Sequence, residues 1–123
     1  MNRLKYRVWI TPWGSDTSPY MYYIEDLHLG AAIGNWERGG YKDAVFQQYT
    51  GLKDKNGIHI FEGDLVKVYL KTEEIGEITF DRGGFCFNSK NLKGTFLGIV
   101  ESGFPIEIVG NIMENPELIK NNE

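Results

Sequence analysis

Between Asn56 and Lys71 the chain places two tight turns directly before an alternating strand, and that order leaves few folds open. Asn56-Gly57 supplies the positive φ values that a short hairpin turn needs. Gly63-Asp64 marks a second turn, because glycine tolerates a left-handed backbone and aspartate bonds to nearby amides. Val66, Val68 and Leu70 then fall on one strand face, and Lys67, Tyr69 and Lys71 on the other. A Gly-Asp corner that opens such a strand is a common start of small SH3-like barrels.

More short strands are expected on both sides. Tyr6, Val8 and Ile10 alternate with Arg7 and Trp9, and Met21–Ile24 reads as a partner strand across a long tip at Thr11–Asp16. Ala44–Thr50 is rich in β-branched and aromatic residues. From Glu25 to Gly40, the glycines at 30, 34, 39 and 40 predict a loop or short broken elements, with a short helix over Leu27–Ile33 as the weaker alternative. Beyond Leu65–Leu70, strands are expected at Ile75–Phe80, Phe85–Phe87, Phe96–Val100 and Ile106–Ile112. They are separated by turns at Lys71–Glu74, Asp81–Gly84 and Asn88–Asn91. Asn115-Pro116-Glu117 predicts a short C-terminal helical turn, with asparagine as the cap and proline at the first position. Short strands at regular spacing indicate an all-β fold: an SH3-like small barrel core with additional N-terminal strands.

With 123 residues, the chain suits one domain, 1–123, in which 1–43 supplies the N-terminal hairpin and variable loop and 44–120 the barrel core. A charged fraction of 24% with 14% aromatics argues against a disordered chain. A net charge of −4 argues against a broadly basic nucleic-acid surface. Cys86 is the only cysteine, so no internal disulfide is expected. Met1–Ile10 carries Arg3, Lys5 and Arg7 without a long apolar stretch behind them, so it does not read as a signal peptide. The expected location is the cytoplasm.

Several motifs together resemble one family. The run Gln48-Tyr49-Thr50-Gly51-Leu52-Lys53-Asp54-Lys55-Asn56-Gly57, followed by Phe61-Glu62-Gly63-Asp64-Leu65-Val66, is similar to the signature of the YopX family of phage and prophage proteins. Gly76-Glu77-Ile78 with Gly84-Phe85 resembles its middle. Glu107-Ile108-Val109-Gly110-Asn111-Ile112-Met113-Glu114-Asn115-Pro116-Glu117-Leu118 resembles its end, and Tyr6–Trp9 with Met21–Tyr23 its beginning. The resemblance implies a small β-rich protein with an SH3-like core, encoded in temperate phages and mobile elements of bacteria. It carries no established catalytic residues or cofactors, so no site residue transfers. The Tyr49–Asp64 motif reads as fold-defining.

Chemistry is sparse. Cys86 has neither His28 nor His59 placed beside it by the sequence, so a packing role outweighs nucleophilic catalysis. Those three residues lack paired metal-ligand spacing, and Glu62 with Asp64 reads as a solvated turn-capping pair rather than a cation site. Glu73 and Glu74 read as a charged hairpin tip that protects an edge. There is no phosphate-binding loop and no nucleophile elbow. An enzyme is the poorer class, and no metal or cofactor is expected.

Binding is the better class. The first third holds Trp9, Trp13, Tyr20, Tyr22, Tyr23, Trp36 and Tyr41. Trp36 and Tyr41, among glycines, are the candidate anchors of a protein interface or of self-association. The alternative is a nucleic-acid face made by Lys53, Lys55, Lys67, Tyr69 and Lys71, where bases stack on the aromatic ring and lysines meet phosphates. Glu62, Asp64, Glu73, Glu74 and Glu77 lie among these lysines and oppose that role. No membrane partner is expected.

Overall fold

The computed structural model describes residues 4–14, 18–69, 73–96, 98 and 105–120. Its strands are β1 (Leu4–Thr11), β2 (Tyr20–Glu25), β3 (Asp43–Lys53), β4 (His59–Phe61), β5 (Asp64–Tyr69), β6 (Glu73–Asp81), β7 (Gly84–Asn88), β8 (Thr95–Phe96) and β9 (Ile106–Asn111). Two helices are described, α1 (Asp26–Glu37) and α2 (Glu117–Lys120). The strands form two antiparallel sheets, ordered β2-β1-β3-β4 and β8-β7-β6-β5-β9. The fold is therefore all-β, and no closed barrel is found among the described residues. No described helix is long and apolar enough to cross a membrane. The chain divides into two compact units, Met1–Tyr49 and Thr50–Glu123, with the division inside β3.

In the N-terminal unit, β1 pairs with β2 on one side and β3 on the other. Alternation sends Val8 and Ile10 to one face, where they are buried with Ala44 and packed by Tyr41 and Phe46. On the opposite face, Arg7 lies between Tyr23 and Gln47 in the strand register. Arg7 is buried, and its Nε donates to Gln47 Oε1 at 2.7 Å. A buried guanidinium is tolerated only with such partners.

The glycine-rich segment from 25 to 40 is helical, longer than the weak expectation over Leu27–Ile33. Gly30 and Gly34 each cost about 1 kcal/mol relative to alanine in a helix interior. Packing of α1 beside β1 and β2 offsets this cost. Gly39 and Gly40, expected to be part of a loop, terminate the helix. Gly39 has φ +82° and donates its N–H to Trp36 O at 2.9 Å, while Gly40 N–H reaches Asn35 O at 2.9 Å. Those paired bonds satisfy the last carbonyls of the helix, and glycine accepts the left-handed backbone they require.

The C-terminal unit is organised by two buried aspartates. Asp54 Oδ1 accepts from Asn56 N–H and Ile58 N–H, both at 2.9 Å, and Asp54 Oδ2 accepts from Ile108 N–H at 3.1 Å. One carboxylate thus shapes the Asn-Gly turn and fastens it to β9. Asp64 Oδ2 accepts from Phe61 N–H at 2.8 Å and closes the second corner, which is the expected turn capping, but Asp64 is buried rather than solvated because the corner folds over the core. Gly63 has φ +88°, donates to Ile78 O and accepts from Ile112 N–H. The core behind these corners is Ile60, Val66, Val68, Ile78, Phe87 and Ile106.

One local expectation changes. Glu73 and Glu74 belong to β6, and Glu74 is buried rather than at a solvated tip. Its two oxygens accept from Ser89 Oγ at 2.7 Å and Asn91 Nδ2 at 2.8 Å, which offsets the desolvation of the carboxylate. Asn115 lies just before α2; its Oδ1 accepts from Asn111 N–H at 3.2 Å and its carbonyl from Leu118 N–H at 3.1 Å. Phe80, near the end of β6, is 52% exposed and stacks edge-to-face on Phe85 at 5.1 Å. Beyond Phe96, the strand expected to reach Val100 lies largely outside the described residues.

Candidate functional site

The cross-strand pairs Val8–Tyr22 and Ile10–Tyr20 set two tyrosines of β2 on the same face as the apolar residues of β1. β2 is an outer strand of its sheet, so this end is not covered by a further strand. Helix α1 presents Ala31, Ala32 and Asn35 opposite, followed by Arg38, which caps its end. Their spacing puts Ala31, Asn35 and Arg38 on one helical face. Between helix and strands lies a groove of about 470 Å³, completed by Ile24 and Tyr41. Its floor is apolar: Ile10 and Ile24 are buried, and the alanines are small. Its rim is amphipathic, with Tyr20 and Tyr22 46% and 54% exposed.

Two glycines leave room for the polar groups of the groove. A Cβ at Gly34 would stand 3.1 Å from Arg38 Nη1, so the guanidinium lies along the helix over that gap. A Cβ at Gly40 would stand 2.5 Å from Asn35 Oδ1. The aromatic surface continues past the groove. Trp13, 60% exposed, donates its Nε1–H to Gly39 O at 2.8 Å, tying the loop after β1 to the end of α1. Trp36 meets Phe46 edge-to-face at 6.3 Å.

Of the two anchors expected from the sequence, Tyr41 lines the groove but is half-buried against Val8, Ile10 and Ala44. Trp36 is 39% exposed and lies on α1 outside the groove lining. Sequence reading singled out neither Asn35 nor Arg38 and gave Tyr20 and Tyr22 no special place. The available signals were the Tyr20, Tyr22, Ile24 alternation and the 31, 35, 38 spacing, but the latter has meaning only on a helix.

The lysine face lies in the C-terminal unit. Lys67 and Glu107 are direct cross-strand partners on β5 and β9. Lys55 Nζ lies 3.8 Å from Glu107 Oε1 and 5.9 Å from the centre of the Tyr69 ring. Lys67 Nζ lies 3.3 Å from Glu73 Oε1, and this hydrogen-bonded carboxylate holds the lysine pKa above its ordinary value. Lys55, Lys67 and Tyr69 thus come together with two glutamates among them. Lys53 ends β3 and is exposed, and Lys71 lies outside the described residues.

Other titratable groups play structural parts. Cys86 is buried, with Sγ directed at the carbonyls of Asp81 and Gly84 at 3.7 and 3.8 Å. His59 sits half-buried in β4. Glu77 lines a cleft of about 140 Å³ beside Lys90 and Lys93, and burial, helped by Glu62, pushes its carboxyl pKa up. Among the described residues, no three histidine, cysteine or carboxylate side chains gather as a metal site.

Comparison with known proteins adds family and fold. The sequence profile described as YopX protein matches residues 14–120. The crystal structure of protein EF1440 from Enterococcus faecalis is similar, with 27% sequence identity and a TM-score of 0.53, over 94% of this chain and 97% of that one. No curated protein matches the sequence.

Proposed function

From the premise that the chain belongs to the YopX family, we propose that it is a prophage accessory protein that works by binding another protein, without catalysing a reaction. The observation that carries this reading is the groove between α1 and the β1–β2 face, rimmed by exposed tyrosines and continued by Trp13 and Trp36. Tyrosine and tryptophan offer large contact area with few rotatable bonds, and they dominate protein interfaces. Their concentration in one unit, beside an apolar floor, favours a preformed binding surface. The prophage setting rests on the mobile elements in which such proteins are encoded, and the cytoplasm of the bacterial host is the place that follows from it.

An SH3-like core is part of the proposal. Its support is the order β8-β7-β6-β5-β9, in which the last strand returns beside the first of a meander. The Asp54–Lys55 corner adds to it, because Lys55 N–H donates to Ile106 O and Ile108 N–H to Asp54, both on β9.

The test is affinity purification of the tagged full chain from its own bacterium with the prophage induced, with and without nuclease. A protein retained after nuclease and lost with Tyr22→Ala and Trp36→Ala supports the reading. Nucleic acid as the retained species, with proteins released by nuclease, overturns it in favour of the lysine face. A partner retained equally by both variants overturns the aromatic surface as the site. Tyr41→Ala is the poorer probe, since Tyr41 also packs the core of its unit.

A further inference from the structure

The groove holds one charged side chain. Arg38 lies at its edge beside Asn35, and none of the residues that line it is acidic. The Arg38 backbone N–H is used in ending the helix, by donating to Gly34 O at 3.0 Å. Its guanidinium, by contrast, is exposed and forms no ion pair with a carboxylate among the described residues. Arg82, on the hairpin tip of the other unit, instead pairs with Asp81 at 3.6 Å. A planar fork of donors without an anion, next to an apolar floor, matches an anionic group attached to an apolar body.

We propose that the groove takes an extended segment of a partner protein in which a carboxylate side chain adjoins an aromatic or aliphatic one. The apolar side chain enters over Ile10, Ile24 and Ala31, between the tyrosines. The carboxylate meets the Arg38 fork, with the Asn35 side chain beside it. Charge complementarity commits the groove to an acidic partner segment, and the amphipathic tyrosine rim matches its mixed character. Gly34 belongs to the device: a methyl group there crowds the guanidinium at 3.1 Å and forces it to shift. This assignment rests on the protein-binding reading above and specifies the chemistry of the partner.

The experiment pans a displayed library of random peptides on the folded full chain. The enriched peptide is then measured by fluorescence anisotropy against the wild type, Arg38→Glu, Arg38→Lys and Tyr22→Ala. Arg38 and Tyr22 are exposed, so these variants are expected to keep the wild-type circular dichroism spectrum. The expected consensus has Asp or Glu next to an aromatic or aliphatic residue, and Arg38→Glu weakens binding by at least about tenfold. Changing the acidic residue of the peptide to its amide weakens binding to the wild type but strengthens binding to Arg38→Glu, where it relieves the repulsion between two carboxylates. Arg38→Lys recovers part of the loss. Peptides without an acidic residue, or equal amide effects on wild type and Arg38→Glu, overturn the carboxylate assignment, while dependence on Tyr22 in that case leaves the protein-binding reading standing. A library that yields no binder overturns the assignment, and the purification experiment then decides the broader reading separately.

Discussion

Replacing Asp54 by alanine removes one carboxylate and strands three backbone donors, those of Asn56, Ile58 and Ile108. Hydrogen bonds to a charged acceptor contribute about 1.5–3 kcal/mol each. Asn56 and Ile58 are exposed, so water replaces much of what their N–H groups lose. Ile108 is half-buried in β9 and packs against the core, so its donor pays the fuller cost. Counting Ile108 in full and each turn donor at half weight gives roughly 3–6 kcal/mol of lost stability. Asp54→Asn separates the two roles. Its oxygen still serves the turn, but its amide faces the Ile108 N–H, donor against donor, and the loss falls to roughly 2 kcal/mol. The assay is urea unfolding of the full chain, with amide exchange followed residue by residue. Both variants should lose protection at Ile108, and only Asp54→Ala should loosen the turn at Asn56 and Ile58 as well. A shift below about 0.5 kcal/mol for Asp54→Ala, within the range of ordinary surface substitutions, refutes the claim that this carboxylate holds the turn to β9.

Two further expectations concern the same unit. Gly76 sits inside β6, where a Cβ would meet Phe87 Cε1 at 2.8 Å as well as the Asn88 backbone, so Gly76→Ala costs about 2 kcal/mol by overpacking; a neutral result in urea unfolding refutes it. The raised Glu77 pKa gives a pH-dependent term: it favours the fold while the acid is protonated, below the unfolded value, and that advantage is lost as pH rises through the folded value. Glu77→Gln is therefore more stabilising, relative to wild type, at about pH 7 than at about pH 4. The same difference at both pH values in paired urea titrations removes burial and Glu62 as the cause.

The corners were legible because their chemistry is local. Gly57 and Gly63 take left-handed φ values of +80° and +88° and aspartates supply the nearby acceptors, although Asn56, expected to share the positive φ of its turn, does not. The alternation through Val66 and Val68 was legible for the same reason, since it depends only on the strand period. Helix α1 was legible only as the weaker alternative over Leu27–Ile33, because Gly30 and Gly34 lower helix propensity, and what overcomes them is packing against β1 and β2, which the sequence does not display. With the helix went the groove, since Arg38 and Asn35 join Tyr20 and Tyr22 only once that segment is coiled and laid beside the sheet. The lysine face was legible as an alternating row with Glu73 among its opposing charges, but the part of Glu107 was not. Glu107 faces Lys67 through strand register between β5 and β9, a pairing of residues forty positions apart.

The central claim is that the aromatic groove of the N-terminal unit is the working surface. Site-specific photocrosslinking in the native bacterium addresses it most directly, with a benzophenone amino acid in place of Tyr22 and, in a second strain, in place of the equally exposed Phe80 of the other unit. The account predicts an adduct with one discrete protein from the Tyr22 position and none from the Phe80 position. A discrete adduct from Phe80 and none from Tyr22 contradicts it.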